Sequence, residues 1–232
     1  MLRLLGFTLL IVNSSIGTGL EPDTDKNKVA NLQYDKVTPS SDLYYGTEHL
    51  PYPAFTEGFA YFQSPDWLQG SVTYNNVVYK DVSLKYDLLT DQLIVLHPNN
   101  IFAVTLFKER VQSFTIGNNH FISVSKNNDA GLKPGYYHQI IIGKLSILAK
   151  RSKVIEEKTT TQVEKRVISK DQFYAVKDGM FRLIKSEDSI MEMVGNQSAN
   201  IRKMLRSKEI KFRTNKELAL IEIATYYNQS AQ

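Results

Sequence analysis

The chain has 232 residues, 42% apolar and 22% charged, enough to bury a core in one domain with an appendage and too few for two large domains. It has no cysteine, which excludes disulfides, thiolate nucleophiles, zinc–thiolate sites, Cys-ligated iron–sulfur clusters and lipoprotein-type acylation. The net charge of +4 hides a division: from Glu21 to Asn100, 11 acids oppose 5 bases, whereas Ile101 to Gln232 carries 13 acids and 22 bases. Solvated faces of one globule would account for this, and so would a basic C-terminal surface that meets an anionic partner such as lipid headgroups or polysaccharide.

Residues 1–19 have the pattern of a secretory signal peptide. Met1-Leu2-Arg3 gives a short positive end, Leu4 to Val12 an apolar run of nine, and Ser15-Ile16-Gly17 or Gly17-Thr18-Gly19 a small-x-small cleavage pattern. Nine residues fall well short of the ~20 that a spanning helix needs. Residues 20–51 are rich in Asp, Asn, Lys, Ser and Pro without a sustained period, and are expected to form a flexible or loosely packed arm. Within it, Leu43-Tyr44-Tyr45 could add an edge strand or lie against the domain.

An antiparallel β-domain is expected over 52–184. Phe59 to Phe62 reads as an aromatic strand between turns, and Trp67 as a plug at the end of the β-core. Gly70 to Leu96 reads as a three-stranded meander: Val82, Leu84 and Tyr86 alternate with Asp81, Ser83, Lys85 and Asp87, giving one apolar and one polar sheet face. Asn75-Asn76 suits a two-residue hairpin turn, and Leu89-Thr90-Asp91 closes the next. Further strands are expected at Ile101 to Phe107, Val111 to Ile116, His120 to Val124, Tyr136 to Ile142 and Leu145 to Lys150. Val154 to Ser169 is β-branched but highly charged, which suits an exposed hairpin arm, and Phe173 to Ile184 forms a terminal hairpin about Asp178-Gly179. The fold class is therefore mainly β with α, an antiparallel sandwich or partly open barrel.

A small helical subdomain is expected over 185–232. Ser186 before Glu187-Asp188 is a helix start, and Ile190, Met191 and Val194 share a face, as do Ile201, Met204 and Leu205. Thr214-x-x-Glu217 has the form of a capping box, followed by the stripe Leu220, Ile223, Ala224 and Tyr227.

Reaction motifs are missing. His49, His97, His120 and His138 are widely spaced and show no metal-binding pair. There is no nucleophile elbow, phosphate-cradling loop or dinucleotide fingerprint. Asp66, Asp81, Asp87 and Asp91 are the carboxylates that could supply a glycosidase pair, but their contexts suit solvation or turn capping. Lys170 to Lys177 sets Phe173 and Tyr174 beside lysines, yet an export signal argues against nucleic acid, and the rings suit a hairpin core. No catalytic, cofactor-binding or metal residue is assigned.

The runs GSVTYNNVVYKDVSLKYD, DQLIV, FKERVQSF, GYYHQIIIGKLSILAKR and the late YYN, covering roughly Trp67 to Tyr227, resemble uncharacterised exported proteins of Gram-negative envelopes. The resemblance implies an exported β-domain with C-terminal helices and transfers no functional residue. The expectation is a non-enzymatic periplasmic or outer-envelope protein, a binding or assembly component without a cofactor. Its partner would be another envelope protein or an anionic surface, which is compatible with peripheral membrane association. A carrier of a lipid or other apolar ligand and a glycan-directed hydrolase are the alternatives.

Overall fold

The computed structural model describes residues 33–34, 41–125, 132–159 and 163–230, so the signal-peptide reading of residues 1–19 lies outside the described residues. In chain order the strands are β1 (Gln33–Tyr34), β2 (Thr47–Glu48), β3 (Leu68–Tyr74), β4 (Val77–Asp87), β5 (Gln92–Leu96), β6 (Ala103–Thr105) and β7 (Val111–Ile116). They continue with β8 (Asn119–Val124), β9 (Gly135–Ile141), β10 (Leu145–Lys150), β11 (Lys153–Thr159), β12 (Val163–Ser169), β13 (Gln172–Lys177) and β14 (Met180–Leu183). Three helices follow: α1 (Glu187–Val194), α2 (Ser198–Ser207) and α3 (Lys216–Ser230).

Twelve strands form one sheet that does not close, in the order β14-β13-β10-β9-β8-β7-β3-β4-β5-β6-β2, with β1 added in parallel to β4. Every other pairing in it is antiparallel. The chain is thus mainly β with C-terminal helices, and a single unclosed sheet is the arrangement it adopts.

The hairpins follow local chemistry. Asn75 and Asn76 both take the left-handed conformation, with φ of 52° and 62°, as a two-residue turn between twisted strands requires. Asp81, at φ 55°, forms a bulge where the register of β3 and β4 shifts. The extra residue keeps Tyr79 on the same buried face as Val82, Leu84 and Tyr86, which simple alternation would not do. Asp87 organises the next turn: its Oδ1 accepts from the backbone of Leu89 (2.8 Å) and Thr90 (3.3 Å), and its Oδ2 from the Thr90 hydroxyl (2.7 Å).

The sheet curls on itself. Asp91, in the β4–β5 turn, accepts from Lys150 at the end of β10 (2.6 Å), although β3, β7, β8 and β9 separate those strands in the sheet. Tyr86 Oη (2.6 Å) and Lys108 also donate to that carboxylate. A Cβ on Gly135, at φ +138°, would overlap both the Asp91 carboxylate and the Lys150 ammonium, so glycine is needed there. Asp91 is therefore not a solvated turn residue as its sequence context suggests; the curl brings two lysines and a buried tyrosine to it. Inside the curl, Phe62, Tyr86, Phe114, Phe121 and Tyr136 pack ring against ring, with Leu43 from the early arm in the same core.

Three expected elements differ. Phe59 to Phe62 forms no strand; Tyr61 makes an isolated bridge to Asp87, and the chain then turns at Gln63, φ 57°. The stretch Ile101 to Phe107 shortens to Ala103–Thr105. The third is at Thr214, whose hydroxyl donates to the Lys211 carbonyl (3.3 Å) instead of capping α3. The Glu217 side chain is drawn instead to Arg151, where charge-assisted bonds outweigh a capping bond. By contrast Ser186 caps α1 through a reciprocal box with Ser189. β11 and β12 form a separate, largely exposed hairpin whose edge bonds the 56–57 backbone, Thr56 N to Lys165 O at 2.8 Å and Val167 N to Glu57 O at 2.9 Å. The helices bury Ile190, Val194, Ile201, Leu205, Leu220 and Ile223 against Leu145, Ile147, Phe173 and Ala175 of the sheet.

Candidate functional site

Lys85 stands between Leu84 and Tyr86, so the two-residue period that buries those side chains in the curl sends Lys85 to the opposite face. There its ammonium lies 4.7 Å from the Tyr61 ring centroid and 4.5 Å from that of Trp67. It makes no hydrogen bond or ion pair among the described residues. Ile94 and Ala103 face the same way from β5 and β6, and they pack with Ala60 and Tyr61 under Tyr52, Phe55, Phe59 and Trp67.

All of these except Ile94, which packs beneath them, line a groove of about 520 Å³ that is open to solvent. Leu50 and Ile101, 76% and 83% exposed, stand on its rim, and Phe102 contributes another ring. The strip that covers the sheet is fastened from below. Tyr52 Oη donates to Asp87 Oδ2 (2.7 Å), His49 Nε2 and Tyr61 Oη pair at 2.9 Å, and Lys153 donates to the carbonyls of Phe59 (2.8 Å) and Tyr61 (2.6 Å). Both tyrosine hydroxyls are thus engaged within the protein, so the groove is lined mostly by ring faces and aliphatic side chains, with Glu48, Lys85 and Asn100 as its other polar groups.

Burial sets the protonation states. It lowers the pKa of Lys85, with the charge of Asp66 opposing, and lowers that of His49, leaving a neutral imidazole at neutral pH. It raises those of Tyr52 and Tyr61, whose hydroxyls stay protonated. Glu48 is the one carboxylate among the lining residues. The groove can therefore hold an apolar body and meet one negative charge, and among the described residues it brings together no pair of carboxylates as glycoside hydrolysis uses.

A second ionisable cluster lies between the sheet and α3. Arg151, 8% exposed, donates Nη1 to Asp171 Oδ2 (2.7 Å) and Glu217 Oε2 (2.7 Å), and Nη2 to Glu217 Oε1 (2.6 Å) and His138 Nδ1 (3.0 Å). His138 also stacks on Phe121, with centroids 4.9 Å apart. Burial and the guanidinium push the imidazole down to about 4, so its Nδ1 is free to accept. All partners are satisfied internally, which makes this cluster a clamp between sheet and helix.

The other residues singled out in the sequence are dispersed. His97 stacks on Phe102, and His120 pairs with Gln139. Asp66 accepts from the Ser64 hydroxyl (3.1 Å) in an exposed turn, and Asp81 sits exposed at the bulge. Among the described residues no group of three or more His, Asp or Glu could hold a metal ion. Phe173 is buried and Tyr174 half-buried in the β13 hairpin. Trp67 does not plug the central core; it joins the outer-face cluster because Tyr61 and Lys85 meet it there. Sequence reasoning missed Lys85, although its place in the alternation already put it opposite the buried row. No described helix is long and apolar enough to cross a membrane. No protein-family model matches this chain, and no curated protein or solved structure shows a significant likeness to it.

Proposed function

We propose that this chain is an exported, non-enzymatic binding component of a cell envelope, and that the aromatic groove on the outer face of β4–β6 is its ligand seat. The observation that carries the reading is the Lys85 ammonium, held between Tyr61 and Trp67 with no hydrogen bond or ion pair among the described residues, in a groove lined mostly by aromatic and aliphatic residues together with Glu48, His49 and Asn100. Its volume falls within the range of small-molecule sites, roughly 300–1,000 Å³. The ligand is a small amphiphile with an apolar body and one anionic head. Export rests on the positive end at Arg3 and the apolar run Leu4 to Val12.

Trp67 is the only tryptophan, so its fluorescence reports on the groove alone. Titration with decanoate should change its emission saturably, and 1-decanol should bind at least tenfold more weakly. Lys85→Met should remove the difference between the two. Neither probe perturbing Trp67 at millimolar concentration would overturn the ligand seat. Recovery of the chain from the cytosol with Leu4 to Val12 retained would overturn the export reading.

A further inference from the structure

Between Arg202 and Lys216 the sequence places seven basic residues and one acid, Glu209. The fold gathers four of these cations around one hollow. α2 ends in a Schellman motif, with Ile210 N donating to Leu205 O (2.9 Å) and Glu209 N to Arg206 O (3.1 Å). Glu209 occupies the left-handed position of that motif, φ 55°. The reversal carries Lys211 and Arg213 back beside Arg202 and Arg206, and the four line a hollow of about 420 Å³ together with Leu205, Ile210, Phe212 and one acid, Glu187 of α1, which faces Arg202.

The charges are unevenly compensated. Arg202 is paired with Asp188 (2.7 Å) and Glu187 (3.8 Å). Arg206 bonds only the Arg202 carbonyl through Nε (3.2 Å), and Arg206, Lys211 and Arg213 have no ion-pair partner among the described residues. Lys208, from the same turn, is taken up by Glu222 of α3. Three exposed, uncompensated cations therefore line one depression whose base is apolar.

We propose that this hollow binds the phosphate ester group of an anionic ligand. A phosphate monoester has three terminal oxygens and close to two negative charges, which matches two planar guanidinium groups and one ammonium better than a single carboxylate does. The apolar floor accommodates the first carbons of the esterified moiety. The ester is carried either by a soluble molecule or by a lipid headgroup, and the site chemistry is the same. The groove at Lys85 is built from other strands, so this inference stands apart from the ligand-seat reading.

The test uses the whole chain at fixed ionic strength, with phenyl phosphate, benzoate and sulfate as soluble probes and phosphatidylcholine vesicles with or without phosphatidic acid. Phenyl phosphate raising the melting temperature more than benzoate or sulfate would support the site with a soluble ligand. Flotation with phosphatidic acid vesicles alone would support it with a lipid source. In either case Arg206→Gln with Arg213→Gln should weaken binding at least tenfold, whereas Lys203→Gln with Lys158→Gln, an equal charge loss at exposed positions away from the hollow, should change it less than twofold. Both double variants should melt within a degree or two of the parent without ligand. The site is overturned if no phosphate-bearing probe binds, if sulfate or benzoate does as well as phenyl phosphate, or if both double variants lose binding equally.

Discussion

Arg151, buried, and Lys85, half-buried, are both cations set against aromatic rings, yet the chain uses them oppositely. Arg151 is met by two carboxylates, an imidazole and the Phe173 ring, centroid 5.7 Å away, and nothing further can be added to it. Lys85 has two ring faces, which compensate an ammonium by about 0.5–1 kcal/mol at partly exposed sites, and the more distant charge of Asp66, but no hydrogen bond or ion pair among the described residues. A saturated charge holds elements together, whereas an unsaturated one leaves interaction energy for a ligand. The difference arises from position: Arg151 lies where α3 closes over the sheet, and Lys85 where the covering strip leaves an opening.

Truncating the two cations should therefore have very different effects. Arg151→Ala leaves Asp171 and Glu217, 23% and 38% exposed, facing each other without their common partner, and should lower stability by about 3 kcal/mol, the low end of the cost of breaking a buried pair because water reaches both carboxylates. Urea denaturation with far-UV circular dichroism measures it. A loss below 1 kcal/mol would show that the clamp is not what fixes α3 to the sheet.

The next largest effect is a pH dependence of the same clamp. His138 has a pKa of about 4 in the folded protein against about 6.5 unfolded, because of burial and then Arg151, with Glu217 and Asp171 opposing and His120 adding slightly. Above pH 6.5 both states are neutral and the residue contributes no slope. As pH falls from 6.5 toward 4, the unfolded chain takes a proton that the native imidazole resists, and stability drops by on the order of 3 kcal/mol. Glu217, held below the usual carboxylate range by Arg151, adds its own loss only below about pH 4.5. His138→Gln keeps an acceptor for Arg151 and should flatten the profile between pH 6.5 and 5; an unchanged slope there would assign it to other groups.

What the sequence disclosed depends on the range of the interaction. Alternation, the Asn75-Asn76 turn and the Ser186 start are local, and each was legible because the residues that decide it are neighbours. Lys85 was half legible: its face followed from Leu84 and Tyr86, but its meeting with Trp67 depends on a strip, residues 49–67, that has no period to read. The Asp91–Lys150 lock spans 59 positions and the Arg151–Glu217 pair 66, and neither leaves a local mark. The capping box at Thr214 shows a local signal defeated by such a distant partner.

A smaller effect tests the turn that supports the uncompensated cations of α2. Glu209 holds a left-handed conformation that a non-glycine residue resists, and no glycine marks the Schellman motif in the sequence. Glu209→Gly should therefore stabilise the chain by about 0.5–1 kcal/mol, read as a rise in the urea midpoint. Binding of phenyl phosphate should persist, since the backbone path and the three cations remain. Destabilisation would mean that the Glu209 side chain contributes more than its backbone strain costs.

The smallest stability change is expected at Lys85, where the contrast with Arg151 is sharpest. Lys85→Met retains an unbranched stem against Tyr61 and Trp67 and removes a charge that has no ion pair among the described residues. The lost cation–π attraction and the relieved desolvation oppose each other, so the change should stay within about 1 kcal/mol. The same substitution should nevertheless abolish the preference for decanoate over decanol at Trp67. A large stability loss would class Lys85 with Arg151 as a structural cation, and the groove would then be a packed margin of the sheet. Unchanged stability with lost selectivity is the signature of a charge kept open for a ligand, because a group that contributes little to folding and much to discrimination has its partner outside the chain.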